Sequence, residues 1–215
     1  AARIANKPRL MVVINGDKDV KYDTVIGVLD VARQSGATRF ARAQREVGRA
    51  AGERPARQGY PPSVFTALPR LLERAGARQR GSITAVYTVL APGGDLDDPV
   101  ADEVRGLLDG HVVLDRRVAE RQRWPAVDVL ASLSRQMPAV TTASHRRAAE
   151  RLRRLLAAWE APRELILLGA YRRGSDPATD EALDRVSEVE AFLAQRPDEA
   201  ASFVETVARL EALFP

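Results

Sequence analysis

Lysine and glycine provide the chemistry by which many proteins hold phosphate groups, and this sequence has few lysines. In a phosphate-binding loop, a glycine-rich turn ends in Gly-Lys followed by Ser or Thr, and the lysine ammonium meets the β- and γ-phosphates. The chain has three lysines, Lys7, Lys18 and Lys21, which are followed by proline, aspartate and tyrosine. The sequence therefore predicts that this chain contains no such loop.

Histidine and cysteine, common metal ligands and nucleophiles, also offer little chemistry here. His111 and His145 are the only histidines, and neither has a second metal-type ligand at helical spacing. We expect both to be structural or surface residues, and we predict no metal site and no Ser-His-Asp arrangement. The lack of cysteine excludes disulfides and thiolate chemistry and is typical of a cytoplasmic protein.

The net charge of +4 and the pI near 9.8 raise the question of nucleic-acid binding. Only residues 144–154 form a basic cluster, and aromatic residues suited to base stacking are not interleaved with it. A solvated face of an amphipathic helix explains this cluster better, so no nucleic-acid partner is expected. We also expect no membrane insertion, because no run of about 18 apolar residues occurs and the N-terminus lacks a signal-peptide core.

The elements that must position any site follow two patterns along the chain. Up to residue 138, helical periodicity alternates with short apolar runs, which predicts an α/β fold with mostly parallel strands. The predicted strands are Leu10–Ile14, Ser82–Leu90 and His111–Leu114, and the predicted helices are Tyr22–Ser35, Phe40–Ala51, Ser63–Ala75 and one ending at Leu108.

Beyond Pro138 the strand patterns disappear, and an all-helical terminal domain is predicted. A first helix presents Ala148, Leu152, Leu155, Leu156 and Trp159 on one face, and a short helix follows at Arg163–Ala170. Asp176 and Pro177 are the N-cap and first-turn proline of a third helix. We predict that Pro197 begins the last helix.

Four segments are more specific than composition alone: Thr38–Gly48, Gly59–Phe65, Asp98–Arg135 and Leu165–Pro177. Their order and spacing closely resemble the flagellar and virulence type III export ATPases, relatives of the rotary ATP synthase catalytic subunits. The resemblance implies that residues 38–140 form part of a RecA-like core and residues 141–215 form a helical domain. It also implies ATP and Mg²⁺ as cofactors, a homo-hexamer, central stalk and export-gate proteins as partners, and a cytoplasmic location, peripheral at the inner membrane.

The same resemblance suggests roles for five residues. Arg135 matches the arginine of a Ser-x-Ser-Arg motif that reaches into the neighbouring subunit's nucleotide site as an arginine finger; the alternative is a surface arginine paired with a carboxylate. Trp124 stands where the family has a tyrosine that packs on adenine; the alternative is a core or interface tryptophan. Asp95, Asp97 and Asp98 match an acidic loop that faces the stalk; the alternative is a solvated loop.

Other catalytic parts of that family have no counterpart in this sequence. Besides the lysine, the metal-positioning aspartate is replaced by the Ser35–Thr38 segment, and the glutamate that polarises the attacking water is missing. Without these groups the positioning and charge stabilisation for phosphoryl transfer cannot be assembled. We therefore expect no ATP hydrolysis by this chain alone, and we expect an incomplete sheet to expose a strand edge and apolar surface.

The first 37 residues resemble a different family. Residues 13–25 and 29–36 are similar to the periplasmic domain of the ExbD/TolR energy-transduction proteins, and the export-ATPase pattern takes over at Ala37. This predicts a junction near residue 37 between fragments of two families. Two alternatives to an ATPase fragment follow, namely a non-enzymatic interaction module and a periplasmic energy-transduction protein. The second is disfavoured by the lack of an export signal or membrane anchor.

Overall fold

The computed structural model describes residues 14–16, 37–77, 79 and 81–214. They divide into two compact units, one ending at Leu108 and the other beginning at Asp109. The predicted helix at 22–35 and most of the predicted strand at 10–14 lie outside the described residues.

The described residues of the N-terminal unit form three α-helices and a small sheet. The sheet strands are β1 (Ile14–Gly16), β2 (Gly76–Ala77) and β3 (Ser82–Ala85), and the helices are α1 (Ala37–Ala50), α2 (Pro62–Leu72) and α3 (Pro99–Leu107). Proline at the first position of α2 and of α3 suits a helix start, because that N–H has no intrahelical partner. Three predicted helices are confirmed, namely those at Phe40–Ala51, at Ser63–Ala75 and the one ending at Leu108.

The core of this unit lies where the three helices meet. Val64 and Leu68 of α2 pack with Val100 and Val104 of α3 and with Ala41 of α1, and all five side chains are buried. The spacings Val64/Leu68 and Val100/Val104 each place two side chains on one helix face, as the four-residue repeat requires.

The strand prediction for Ser82–Leu90 is only half right. Strand β3 ends at Ala85, and residues 86–90 belong to no strand. β3 lies between β1 and β2 and is antiparallel to both.

The C-terminal unit joins a β-hairpin to a helical layer. Its elements are β4 (Gly110–Leu114), α4 (Arg116–Glu120), β5 (Val127–Ser134), α5 (Met137–Val140), α6 (Ala143–Glu160), α7 (Arg163–Leu167), α8 (Pro177–Leu193) and α9 (Phe203–Leu213). The pattern of residues 127–134 does not predict a strand, so β5 is a strand that the structure adds.

The predicted parallel strands are not found in the part of the chain that the structure describes. β4 and β5 pair antiparallel, as do the pairs of the N-terminal sheet. The reason is local, because α4 has only five residues and sits in a hairpin connection, whereas a parallel crossover usually needs a full helix lying over the sheet. Val112 and Leu114 of this two-stranded sheet are 70% and 71% exposed, which matches the expected apolar surface.

The helical layer has its own core. Leu152, Leu155 and Leu156 of α6 are buried against Val189 of α8 and Leu210 of α9. The predicted helical domain is confirmed in character, and the cap of α8 is confirmed in detail. The Asp176 carboxylate accepts hydrogen bonds from the N–H groups of Ala178 and Thr179, and Pro177 is the first helical residue.

The predicted start of the last helix at Pro197 is wrong. Helix α9 begins at Phe203, where Ser202 and Glu205 form a capping box. Each of these side chains bonds the backbone N–H of the other, which satisfies two donors that an uncapped helix start would leave unpaired. This reciprocal cap outweighs the preference of proline for a first turn.

Candidate functional site

Strand β5 separates the two residues with predicted nucleotide contacts. Trp124 lies just before the strand, and Arg135 follows its last residue, Ser134. At a rise of about 3.3 Å per residue, the two side chains belong to opposite ends of the strand. The structure therefore does not bring them together around one phosphate group.

Arg135 is exposed, and its backbone is fixed by the residue that precedes β4. The Arg135 N–H donates to the carbonyl oxygen of Asp109 at 2.7 Å, and Gln136 Nε2 donates to Asp109 Oδ1 at 3.1 Å. Asp109 thus holds the chain on both sides of the point where the Arg135 side chain leaves the strand.

Trp124 presents a large aromatic surface to solvent, with 51% of the residue exposed. Its carbonyl oxygen accepts a hydrogen bond of 2.7 Å from the N–H of Gln195, which follows α8. The indole is therefore held on a loop tied to the helical layer and is not a core residue. A broad exposed π face is suited to stacking on a planar ring.

Between its two ends, β5 departs from regular pairing in a wide bulge. His111 pairs with Leu133 and Val113 pairs with Asp128, so Val112 alone lies opposite residues 129–132. Several backbone groups of this bulge bond to side chains instead of to β4. The Ala131 N–H donates to Asp128 Oδ1, and the Ser132 hydroxyl donates to the Asp128 carbonyl and accepts from the Val113 N–H.

The carbonyl groups of the bulge find donors on two further side chains. Arg153 of α6 donates to the carbonyl oxygens of Val129, Leu130 and Ser132, the last two at 3.0 and 3.1 Å. His111 Nε2 lies 3.0 Å from the carbonyl oxygen of Ala131. Sequence reasoning missed these roles; the only signal for the bulge was that polar Asp128 and Ser132 interrupt an apolar run.

The acidic loop lies in the N-terminal unit, and its three carboxylates differ. Asp95 and Asp97 are exposed, and Asp95 Oδ1 accepts from the Asp97 N–H at 2.9 Å. Asp98 is only 9% exposed and caps α3, since its Oδ1 accepts from the N–H groups of Val100 and Ala101 at 3.0 and 3.1 Å. Asp95 and Asp97 are therefore the residues of this loop that a partner can reach.

Neither histidine belongs to a metal site in the described residues. The His145 ring contacts the Phe203 ring edge-on, with 6.2 Å between centroids. His111 is hydrogen-bonded to the carbonyl oxygen of Ala131 in the bulge. Within the ranges that the structure describes, no three His, Asp or Glu side chains group in a way that could hold a metal ion.

Much of the basic cluster at 144–154 bonds within the chain. Arg146 donates to the carbonyl oxygens of Pro138 and Thr141, Arg153 holds the β5 bulge, and Arg151 pairs with Glu181 at 2.9 Å.

None of the helices in the described part of the chain has the length and apolar character needed to cross a bilayer.

Two carboxylates that cap helices, Asp115 and Asp176, have a lowered pKa. A side-chain hydrogen bond from Thr179 and backbone N–H groups at the start of α8 lower the pKa of Asp176. Hydrogen bonds from Arg117 likewise lower the pKa of Asp115, which caps α4. Both shifts follow from donors that favour the charged form, and they identify these residues as structural caps.

Two family models match this chain. The nucleotide-binding domain of the ATP synthase alpha/beta family matches residues 32–134, and the T3SS EscN ATPase C-terminal domain matches residues 141–212. From residue 32 to residue 212, the chain belongs to the type III secretion and flagellar ATPase family. The first of these matches begins six residues before the segment predicted at 38–140, so it overlaps the end of the segment at 29–36 that resembles ExbD/TolR.

Curated relatives of this ATPase family support the assignment. The chain is 53% identical over 176 residues to the type 3 secretion system ATPase of Xanthomonas euvesicatoria, covering 82% of this chain and 40% of the relative. It is 51% identical over 176 residues to the flagellum-specific ATP synthase of Bacillus subtilis, again covering 82% and 40%. The chain thus spans about 40% of the length of these relatives.

Solved structures of the family share the fold. The assembled ATPase EscN from the enteropathogenic E. coli type III secretion system has a TM-score of 0.78 and 44% identity, covering 83% of this chain and 43% of that one. EscN in complex with its central stalk EscO has a TM-score of 0.71 and 44% identity, covering 82% and 42%. The α/β region followed by a helical region is therefore the arrangement of this ATPase family.

Proposed function

We propose that this chain is the part of a type III export ATPase that supplies an arginine finger to the nucleotide of a neighbouring subunit. The observation that supports this is the Arg135 side chain, which leaves the end of β5 exposed while Asp109 fixes its backbone. A guanidinium held in this way can neutralise charge on the γ-phosphate oxygens as it spreads in the transition state.

Trp124 fits the adenine of the same subunit's nucleotide. Its exposed indole provides a planar face, and its loop is anchored through Gln195, so the ring can bind a base without a change in the strand. When bound, Mg²⁺ would neutralise phosphate charge, but no residue described here is assigned as its ligand. Since Trp124 and Arg135 lie at opposite ends of β5, each serves a different nucleotide in a ring of subunits.

The partners of this part of the ATPase are the other subunits of a hexamer, a central stalk and export-gate proteins, at a cytoplasmic site on the inner membrane. The EscN relative, solved as an assembled ATPase and with its central stalk EscO, supports the first two. Exposed Asp95 and Asp97 are the carboxylates available to a stalk, while Asp98 is committed to capping α3.

The finger can be tested in a chimera. The matching 176-residue region of the Xanthomonas euvesicatoria ATPase is replaced by that of this chain, and ATP turnover is measured with saturating Mg-ATP. We expect Arg135→Ala to lower kcat by about 10³-fold or more, as for other arginine fingers. Arg135→Lys should recover little of this loss, because an ammonium cannot reproduce the planar fork.

Arg116→Ala is the matched control. Like Arg135, Arg116 is an exposed arginine, but it lies in the connection between β4 and β5. Its turnover should stay within about twofold of the parent, as for most surface substitutions. If Arg135→Ala behaves like Arg116→Ala, the finger role is wrong.

A second candidate is a non-enzymatic interaction module, favoured by the lack of a Gly-Lys-Ser/Thr motif in the printed sequence. In this proposal the ExbD/TolR-like residues 1–37 and the helical domain are docking surfaces. Pull-down with stalk and stator proteins tests this proposal: binding that survives only through residues 1–36 supports the module, and binding that is unchanged when residues 1–36 are removed contradicts it.

A further inference from the structure

The bulge in β5 leaves backbone carbonyl groups that need hydrogen-bond donors from outside the hairpin ladder. Residues 129–132 have only Val112 opposite them, so their carbonyl groups cannot all pair across the ladder. A partly buried carbonyl without a donor costs free energy comparable to a lost hydrogen bond. Each of the four carbonyls has a donor instead, three of them on Arg153.

Arginine suits this task better than other side chains. Its planar guanidinium offers five N–H donors in a fixed fork, and here Nη1 serves Val129 and Ser132 while Nη2 serves Leu130. A lysine ammonium is a point charge on a flexible stem and does not fix the relative positions of three carbonyls in this way. The guanidinium therefore sets the shape of the bulge.

Two residues separate the bulge from Arg135, the proposed arginine finger. After residue 132, β5 makes two more pairs, His111↔Leu133 and Gly110↔Ser134, and Arg135 follows. The shape of residues 129–132 thus determines where the end of the strand points. On α6, the neighbours Leu152 and Leu155 of Arg153 are buried in the helical core, so the guanidinium is attached to a packed element.

We propose that Arg153 is a positioning residue for Arg135, joining helix α6 to the β5 bulge so that displacement of the helical domain reaches the finger. This inference rests on the finger role proposed above. The hydrogen bonds that Arg153 makes to the described part of β5 go to backbone carbonyls, and its effect on catalysis is made through the strand.

The first test measures amide hydrogen exchange in the full 215-residue chain. The Ala131 and Arg135 N–H groups are the reporters, because both are bonded in the held strand. Arg153→Ala should speed their exchange by about tenfold or more. In this variant the local opening of the strand costs less free energy, because the three hydrogen bonds of Arg153 are already absent. Arg154→Ala, the adjacent exposed arginine on the same helix, should leave both rates unchanged.

The second test uses the chimera and a double-variant cycle. Arg153→Ala should lower kcat by about 10²-fold, the size expected for a small misplacement of a catalytic group, with little change in KM. If Arg153 acts through Arg135, the variant Arg135→Ala/Arg153→Ala is no slower than Arg135→Ala alone. Arg153→Lys should recover folding and only part of the turnover, and it replaces Arg153→Ala if that variant does not fold.

The outcomes separate this inference from the finger role. If the exchange rates at Ala131 and Arg135 are equal in Arg153→Ala and Arg154→Ala, the positioning role of Arg153 is wrong. It is also wrong if Arg135→Ala/Arg153→Ala loses turnover relative to Arg135→Ala by the same factor as Arg153→Ala loses relative to the parent. If Arg135→Ala alone has no effect on turnover, the finger role fails, and the exchange rates still decide whether Arg153 holds the strand.

Discussion

At the scale of single residues, Asp97 and Asp98 show how neighbouring identical side chains take different tasks. Asp98 is buried, and its carboxylate accepts from two N–H groups at the start of α3. Asp97 is exposed in the same loop. A helix start leaves several N–H groups unpaired, and a cap that satisfies two of them fixes the direction in which the helix leaves the loop.

The change Asp98→Ala should lower the free energy of unfolding by about 1 kcal/mol, the usual cost of losing an N-cap. Asp98→Asn should be close to neutral, because asparagine caps about as well. Asp97→Ala is the matched control and should stay within about 0.5 kcal/mol of the parent. Urea unfolding followed by circular dichroism measures all three, and equal losses for Asp97→Ala and Asp98→Ala would show that the cap contributes nothing.

Residue types alone predicted some of these tasks. The Asp176-Pro177 cap could be found because both parts of the signal are adjacent in sequence. The role of Arg153 could not, because its acceptors are backbone carbonyls 21–24 residues away, and every residue has a carbonyl. Only the pairing register of β5 shows that those carbonyls need a donor.

At the scale of elements, the contact between α1 and the start of α2 depends on a residue without a side chain. Gly48 is buried in α1, and a Cβ there would lie 2.6 Å from Pro61 Cγ and 3.0 Å from Pro61 Cβ. The proline ring cannot rotate away, so α1 and the segment entering α2 would have to separate. Gly106 in α3 is exposed, and a Cβ there meets nothing within 4 Å.

These two helical glycines predict opposite effects of the same substitution. Gly48→Ala should destabilise the protein by about 1–3 kcal/mol through overpacking. Gly106→Ala should stabilise it by up to about 1 kcal/mol, because alanine loses less backbone entropy in a helix and fits the space. Thermal and urea unfolding of the two variants check this, and a stabilising Gly48→Ala would mean that the helices do not approach as closely as described.

The elements themselves were predictable where periodicity is local. The helices at 37–50, 62–72 and 143–160 follow from apolar spacing. The strands were harder, because which strand pairs with which depends on partners distant in sequence. The alternating pattern therefore predicted parallel strands where the chain forms a hairpin, and the segment Val127–Ser134 was not recognised as its second strand.

At the scale of the whole molecule, the two units have separate cores and separate parts of the proposed function. The N-terminal unit contains the acidic loop. The C-terminal unit contains Trp124, Arg135 and the helical layer, to which Arg153 belongs. Of the residues proposed to contact a nucleotide, Trp124 is proposed to stack on adenine and Arg135 to reach the phosphate of a neighbouring subunit's nucleotide. The groups that would hold the triphosphate of its own subunit are not among them.

The 215-residue chain alone should therefore neither bind Mg-ATP tightly nor hydrolyse it. The three lysines of the sequence are not in a Gly-Lys-Ser/Thr context, so no ammonium and loop of N–H groups surround the β- and γ-phosphates. Stacking on Trp124 provides about 1–3 kcal/mol, which corresponds to millimolar binding or weaker. Calorimetry with Mg-ATP should show no heat of binding at micromolar concentrations, whereas the chimera, which regains the relative's N-terminal region, should bind and turn over ATP. Tight binding by the chain alone that persists in Trp124→Ala would require a second phosphate-binding arrangement and would contradict this division of the nucleotide site.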